Sequence, residues 1–377
     1  MSMKIRRTVC WVVALAGFLP AALAERPSEG WGLPYGWEVD LAGEAVLSSD
    51  IQLSHYVVGL ADRQTTSQFT LRLVQDVMSV DYEPIDFDLN GESTHLHEQT
   101  LAVQGSFRHA FEGAWTGLIS GSAYDGYADY RSLWLAEYYR QQFSGLGDIP
   151  GFDLWREPDP HGVSFSAGMR WEYLPASGFL QLDLAHARDV IAPGYEIDFD
   201  GLVSGPSVLT ARSIGLTLEN VLTPRLRTLL QLQAAETTGR DPRLSALFSA
   251  NLAFNTAWRI RGRIGGATEG PDFRSLYGSL AVEGDLSETW TVFATVRGYE
   301  DNGEIEDALL FSAAAPGLTT GSAGIGIKGT HRNLSWRLAW TPYRTDYEET
   351  GLGTIFFSNL YRDRSWNIFE LSGVFTF

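Results

Sequence analysis

The chain has 377 residues, with 28 Lys and Arg against 46 Asp and Glu, a formal net charge of −18 at pH 7. So acidic a polypeptide is a poor partner for the phosphate backbone of nucleic acid, which argues against that class of function. Aromatic residues make up 12% of the sequence, yet no window after residue 24 approaches about eighteen consecutive apolar residues, so no transmembrane helix is expected.

At the N-terminus Lys4, Arg6 and Arg7 form a positive segment and Val9 to Ala22 is apolar. Ala22-Leu23-Ala24 then supplies a small-x-small cleavage pattern. The apolar run is shorter than the ~18–20 residues that cross a bilayer as a helix. Residues 1–24 are therefore expected to be a cleaved signal peptide, with 25–36 a short lead-in. Cys10, the only cysteine, lies inside the signal and outside the context of a lipoprotein cleavage site, which leaves the exported chain without disulfide or thiol chemistry. Removal of the signal takes three basic residues and no acidic ones, giving a net charge of −21 with Lys328 as the one remaining lysine.

From Trp37 onward the pattern has period two. Alternating segments run 37–47, 67–76, 97–108, 115–124, 163–173, 178–189, 210–222, 226–236, 244–255, 258–264, 276–286, 290–299, 321–330, 333–343 and 366–377. This is the strand signature, and about ten tilted residues match one membrane crossing. In 258–264, Trp258, Ile260 and Ile264 oppose Arg259, Arg261 and Arg263. A soluble sheet would seldom bury three arginines on one strand face, whereas a membrane barrel turns its apolar side to lipid and its charges to a wet interior.

Short connections at 111–114, 174–178, 222–225, 255–257, 286–289 and 331–333 alternate with longer ones at 125–162, 190–208, 237–243, 265–275, 300–320 and 344–365. That asymmetry of periplasmic turns and external loops predicts an all-β, antiparallel transmembrane β-barrel over 37–377. About fourteen strands are expected, within a range of about 12–16, because Val80, Tyr82 and Pro84 interrupt the alternation in 50–96. Within 125–162, the segment Tyr130 to Phe143 carries apolar residues at three- and four-residue spacing, which predicts a short helix. It either caps the rim or folds into the lumen and narrows it.

The chain ends with Phe369, Leu371, Gly373, Phe375 and Phe377 at every second position. This ending resembles the C-terminal signal of Gram-negative outer-membrane, porin-like β-barrels, with the glycine one place from its commonest position. The resemblance covers the mature chain as architecture and selects no subfamily. It implies outer-membrane localisation, recognition by the barrel-assembly machinery during insertion, and contact with lipid and lipopolysaccharide.

Opposite the apolar face, Arg227, Arg259, Arg261, Arg263, Arg297 and Arg337 are expected to line a pore, as are Glu38, Asp40, Glu44 and Glu370 on the first and last strands. Opposite charges facing each other across the bore would orient solutes and set ion preference; the same charges could instead pair and fill a closed lumen. Trp37, Trp115, Trp171, Trp258, Trp290 and Trp336 point outward, mostly beside short turns, as an interfacial girdle.

No catalytic set, metal site or cofactor site is expected. The seven histidines are scattered; His95 and His97 share a face near Glu98, but two-residue spacing is a weak metal signal, and solvated loop histidines explain it. His186 points outward. Gly324 to Gly329 matches G-x-G-x-x-G, yet no helix follows and small inward strand glycines account for it. Asp148, Asp153, Glu157 and Asp159, and Glu304, Glu306 and Asp307, read as solvated loop surface, with divalent cations bridging lipopolysaccharide as the alternative. Three functions remain: a porin-like channel passing small polar or charged solutes by diffusion, a closed barrel in a structural or export role, and a barrel enzyme acting on lipid or lipopolysaccharide. No energy-coupling box is evident near Glu25, which argues against active uptake.

Overall fold

In the computed structural model every strand of the main sheet pairs with two neighbours, so the sheet has no edge. The structure describes residues 36–84, 91–144, 159–191, 195–198, 201–204, 207–271, 273–303, 316–348 and 360–377. The expected signal peptide and nearly all of the lead-in lie outside these residues, as do Asp148, Asp153, Glu157, Glu304, Glu306 and Asp307.

The elements in chain order are β1 (Gly36–Leu47), β2 (Ile51–Arg63), β3 (Ser67–Tyr82), β4 (Thr94–Ala110), β5 (Trp115–Asp125), α1 (Tyr130–Ser144), β6 (His161–Leu174) and β7 (Gly178–Ile191). A separate two-stranded sheet follows, β8 (Tyr195–Asp198) with β9 (Gly201–Ser204). The barrel resumes with β10 (Ser207–Thr223), β11 (Leu226–Thr237), β12 (Arg243–Ala253), β13 (Trp258–Glu269), β14 (Phe273–Asp285), β15 (Trp290–Gly303), β16 (Pro316–His331), β17 (Leu334–Tyr347) and β18 (Arg364–Thr376). All pairings are antiparallel between successive barrel strands, and β1 closes onto β18 from Glu38↔Thr376 to Leu47↔Asn367.

The described barrel has sixteen strands, the upper end of the expected range and more than the fourteen or so expected. The strand hidden from the pattern is β2. Its outward Tyr56, Val58 and Leu60 are exposed, while its inward Ile51 and Val57 are buried. With apolar residues on both faces, period two disappears. The turn before it, 48–50, is also short. Two connections expected to be long are short as well, at 238–242 and at 270–272, the latter because Gly265 and Gly266 continue β13.

One end of the barrel carries connections of two to four residues, together with both chain ends of the sheet. At this turn end the outward tryptophans form a ring. Trp290↔Gly329↔Trp336 lie in register across β15, β16 and β17, and the missing side chain at Gly329 lets the two indoles meet edge-to-face at 5.2 Å between centroids. Trp115 and Trp171, paired across β5 and β6, stack at 6.0 Å. Trp37 and Trp258 are exposed on the same ring.

At the opposite, loop end one sector of the interior is filled. Asp129 caps α1, its carboxylate accepting the Ser132 N–H at 2.7 Å. Leu133 and Trp134 pack on inward-facing Ile51, Met78, Val80, Tyr82 and Trp366, with the Tyr82 and Trp134 rings 4.8 Å apart. The residues that broke the alternation in the sequence are thus apolar because α1 lies over them inside the barrel. Gln141 ties the helix to the β3–β4 connection, donating to the Glu92 carbonyl at 2.8 Å and accepting the Glu92 N–H at 2.9 Å.

A buried clasp sits beside this cluster. Arg364 donates to Asp50 from Nε and Nη2 at 3.0 and 2.9 Å, and its Nη1 donates to the Leu360 carbonyl at 2.8 Å. Arg362 bridges Asp50 and Glu83 at 2.8 and 3.1 Å. Burial pushes the Asp50 carboxyl up, but the two guanidinium groups outweigh it and hold the group below its ordinary value.

Two outcomes are expected. Gly329→Val places a side chain where a Cβ alone would come within 2.5 Å of the Trp336 ring; overpacking of this kind costs about 1–3 kcal/mol, read as a lower temperature for loss of the folded, fast-migrating band in gel electrophoresis. Asp50→Ala leaves Arg364 buried without its carboxylate, a loss of about 3–5 kcal/mol read as faster proteolysis and hydrogen exchange in α1. Because the Asp50 pKa is lowered on folding, its stabilisation is present above the ordinary carboxylate range and disappears in wild type as pH falls through the lower folded value.

Candidate functional site

The lumen is where the fold gathers its charge. Arg227, Arg259, Arg261, Arg263, Arg297 and Arg337 all lie on the inward register, as do Glu38, Asp40, Glu44 and Glu370. Their strand neighbours Trp258, Ile264, Val296, Leu338, Leu41 and Leu371 are exposed on the outer face.

Most opposite charges meet along the wall, and the expected juxtaposition across the bore gives way to this lateral pairing. Arg63 pairs with Glu38 at 2.7 Å, Arg72 with Asp40 at 3.1 Å, Arg227 with Glu219 at 2.6 Å and Arg259 with Asp285 at 2.7 Å. Arg337 pairs with Glu370 on the adjoining strand. Lys328 reaches Glu283 at 2.7 Å, and both Lys328 and Arg337 lie over the inward Phe293 ring. The part-exposed pairs among these contribute only about 0–1 kcal/mol each. Their main effect is to neutralise a wall that would otherwise repel itself.

Two places gather like charges. Arg261 and Arg263 are flanked in register by Asn251 and Ala281, and by Ser249 and Ser279. Arg261 donates to the Asn251 side chain at 2.6 Å, and Arg263 donates to the Tyr277 hydroxyl. Arg297 lies on the far side of Ser279, close enough to repel Arg263. The three arginines therefore form a positive field on β13 and β15. On the other side of the closure, Glu44 is in register with Glu370 and with His55, and His55 Nδ1 meets Asp76 at 2.6 Å. Arg297 and Arg337 both act on Glu44 electrostatically, so positive and negative regions share this sector.

Alternation in β2 and β3 carried further inward charges that the sequence reading passed over. Arg63 and His55 went with the hidden strand. Arg72 and Asp76 oppose Leu71 and Leu73, a signal legible in period two. Lys328, Glu283 and Asp285 likewise sit opposite outward apolar neighbours.

From β4 to β11 the inner wall carries, among its charges, a row of small residues. Ser106↔Ser120↔Ser166↔Ala185↔Ser213↔Ala235 form one continuous row in register. The Ser120 and Ser166 hydroxyls are 2.6 Å apart, and those of Ser122 and Ser164, in the row above, 3.2 Å.

His95 and His97 are strand residues of β4 on its outer face, paired with Asp81 at 2.7 Å and Ser79 at 3.0 Å; Glu98 faces the other way. The loop position expected for them is corrected. His186 is outward and exposed. Among the described residues no three His, Cys, Asp or Glu side chains come together as a metal site. Gly324 and Gly326 lie in β16, where Cβ atoms would meet Thr341 and Phe293.

Phe369, Leu371, Gly373, Phe375 and Phe377 line the outer face of β18 and its end. Phe375 and Phe377 are 4.7 Å apart, and the Phe377 N–H donates to the Trp37 carbonyl at 2.9 Å, sealing the closure.

No family model and no curated protein matches the sequence. The fold is similar to that of a mutant of the monoaromatic hydrocarbon channel TodX, with a TM-score of 0.51 at 13% identity over 95% of this chain and 94% of that one. It is also similar to CdiB from Acinetobacter baumannii, with a TM-score of 0.52 at 9% identity over 90% of this chain. The chain spans 60% of the length of CdiB. At these identities the likeness is one of fold. The chain is a closed antiparallel β-barrel, with sixteen described strands, of the architecture found in Gram-negative outer-membrane proteins.

Proposed function

We propose that the protein is a porin-like channel of the outer membrane that passes small polar or charged solutes by diffusion. The observation that carries this reading is a sixteen-strand barrel whose inward register, outside the apolar cluster beneath α1, is rich in charged and hydroxylic residues while its outward register is apolar. Barrels of about sixteen strands leave room for an aqueous channel. Strands ~4.8 Å apart and tilted ~40° give roughly 30 Å between opposite backbone walls, and a helix about 10–12 Å wide fills only part of that.

In this reading residues 1–24 are cleaved on export and the turn end faces the periplasm, where the tryptophan ring sits at the lipid interface. The β18 ending is read by the barrel-assembly machinery, and lipopolysaccharide surrounds the loop end. Arg227, Arg259, Arg261, Arg263, Arg297 and Arg337, with Glu38, Asp40, Glu44 and Glu370, line the pore; Arg261, Arg263 and Arg297 set its ion preference. No catalytic step is assigned. The packing of α1 inside the loop end favours a second reading, a closed barrel in a structural or export role.

Planar-bilayer recording separates the two. The channel reading expects stable conductance whose reversal potential in a salt gradient shifts toward cation preference in Arg261→Ala/Arg263→Ala. A folded, heat-modifiable protein that stays electrically silent would favour the closed barrel.

A further inference from the structure

We infer that solutes cross along the row of inward serines and alanines that runs over β4 to β11. The inference rests on the channel reading and deepens it. Three observations converge on this strip.

The first is side-chain size. Ser106, Ser120, Ser166, Ala185, Ser213 and Ala235 follow one another across six neighbouring strands. A lumen built to be packed shut would place large side chains there, as the same barrel does at Tyr82, Phe293 and Trp366. Six small residues in succession keep the wall thin.

The second is access. Although they point inward, Gln104 and Ser106 on β4 and Gln231 and Gln233 on β11 are exposed to solvent. On the α1 side, inward Ile51 and Val80 are each only 1% exposed. Water therefore reaches the row at both of its margins, whereas it is shut out beneath the helix and at inward Thr116, Tyr124, Phe179 and Ala187 on either side of the row.

The third is chemistry. The row carries hydroxyls and methyls without a charge, and Ser120 and Ser166 already exchange a hydrogen bond at 2.6 Å. Such a surface offers a passing solute weak, replaceable hydrogen bonds, so that binding does not oppose release. It suits small solutes bearing hydroxyl or amide groups, while the arginines of β13 and β15 act on ions from the adjoining wall.

Cysteine substitution tests the path. In a Cys10→Ser background the chain has no other cysteine, so Ser120→Cys and Ser166→Cys each introduce a unique thiol of nearly the same size as the hydroxyl it replaces. Purified protein is recorded in planar bilayers before and after a charged, water-soluble methanethiosulfonate reagent. The expected result is rapid labelling, a conductance drop of at least about twofold, and recovery with dithiothreitol, while Val80→Cys beneath α1 labels slowly and leaves conductance unchanged. Full conductance after complete labelling of Ser120→Cys and Ser166→Cys overturns the path and leaves the channel reading standing. Thiols that mass spectrometry finds unmodified overturn it equally. A wild-type protein that never conducts removes the channel reading itself and the path with it.

Discussion

A peptide group in hydrocarbon has no water to satisfy it, and each unpaired N–H or C=O there costs several kcal/mol. The pairing of β1 with β18 meets this constraint, and the rest of the structure depends on it. The register from Glu38↔Thr376 to Leu47↔Asn367 removes the two edges that the chain termini would otherwise leave. The Phe377 N–H continues the ladder to the Trp37 carbonyl. Once the sheet is closed, side-chain parity assigns every strand residue to lipid or to lumen.

On the lipid side the consequence is a belt of exposed apolar residues ending in aromatic rings at the turn end. Glycine plays a specific part there. Gly329 stands between Trp290 and Trp336, and Gly284 lies beneath the Trp258 ring. In both cases the absent side chain lets an indole lie across the neighbouring strand, covering its backbone with apolar surface.

Inside, the same closure brings charge, hydroxyl and apolar surface into three sectors. Charged residues on β1 to β3 and β13 to β18 largely compensate one another laterally, which lets so many of them share a confined space. The β4 to β11 wall sets a row of small neutral residues among its own charges, which pair laterally as Arg170–Glu172 and Arg227–Glu219. At the loop end, between β1 to β4 and β17 to β18, the interior becomes an apolar cluster because α1 lies on it. The Asp50, Arg362 and Arg364 clasp joins the β1–β2 turn to the start of β18 at that point, so the filled sector and the barrel closure support each other.

Barrel class, strand parity, the helix over Tyr130 to Phe143 and the inward direction of the arginines were legible in the residues themselves. Each depends on local periodicity: two for a strand with one wet and one oily face, 3.6 for a helix. What contacts those faces belongs to the tertiary structure. β2 was invisible in part because α1, far along the chain, packs on Ile51 and Leu53 of its inner face, and no local pattern carries that information. The partner of each arginine is likewise decided by register between strands and by closure; Arg72 reaches Asp40 two strands away, across Gly59. Sequence alone determined which way each side chain points, and the closed barrel decided what it meets there, because burial inside a tube is a property of distant segments brought together.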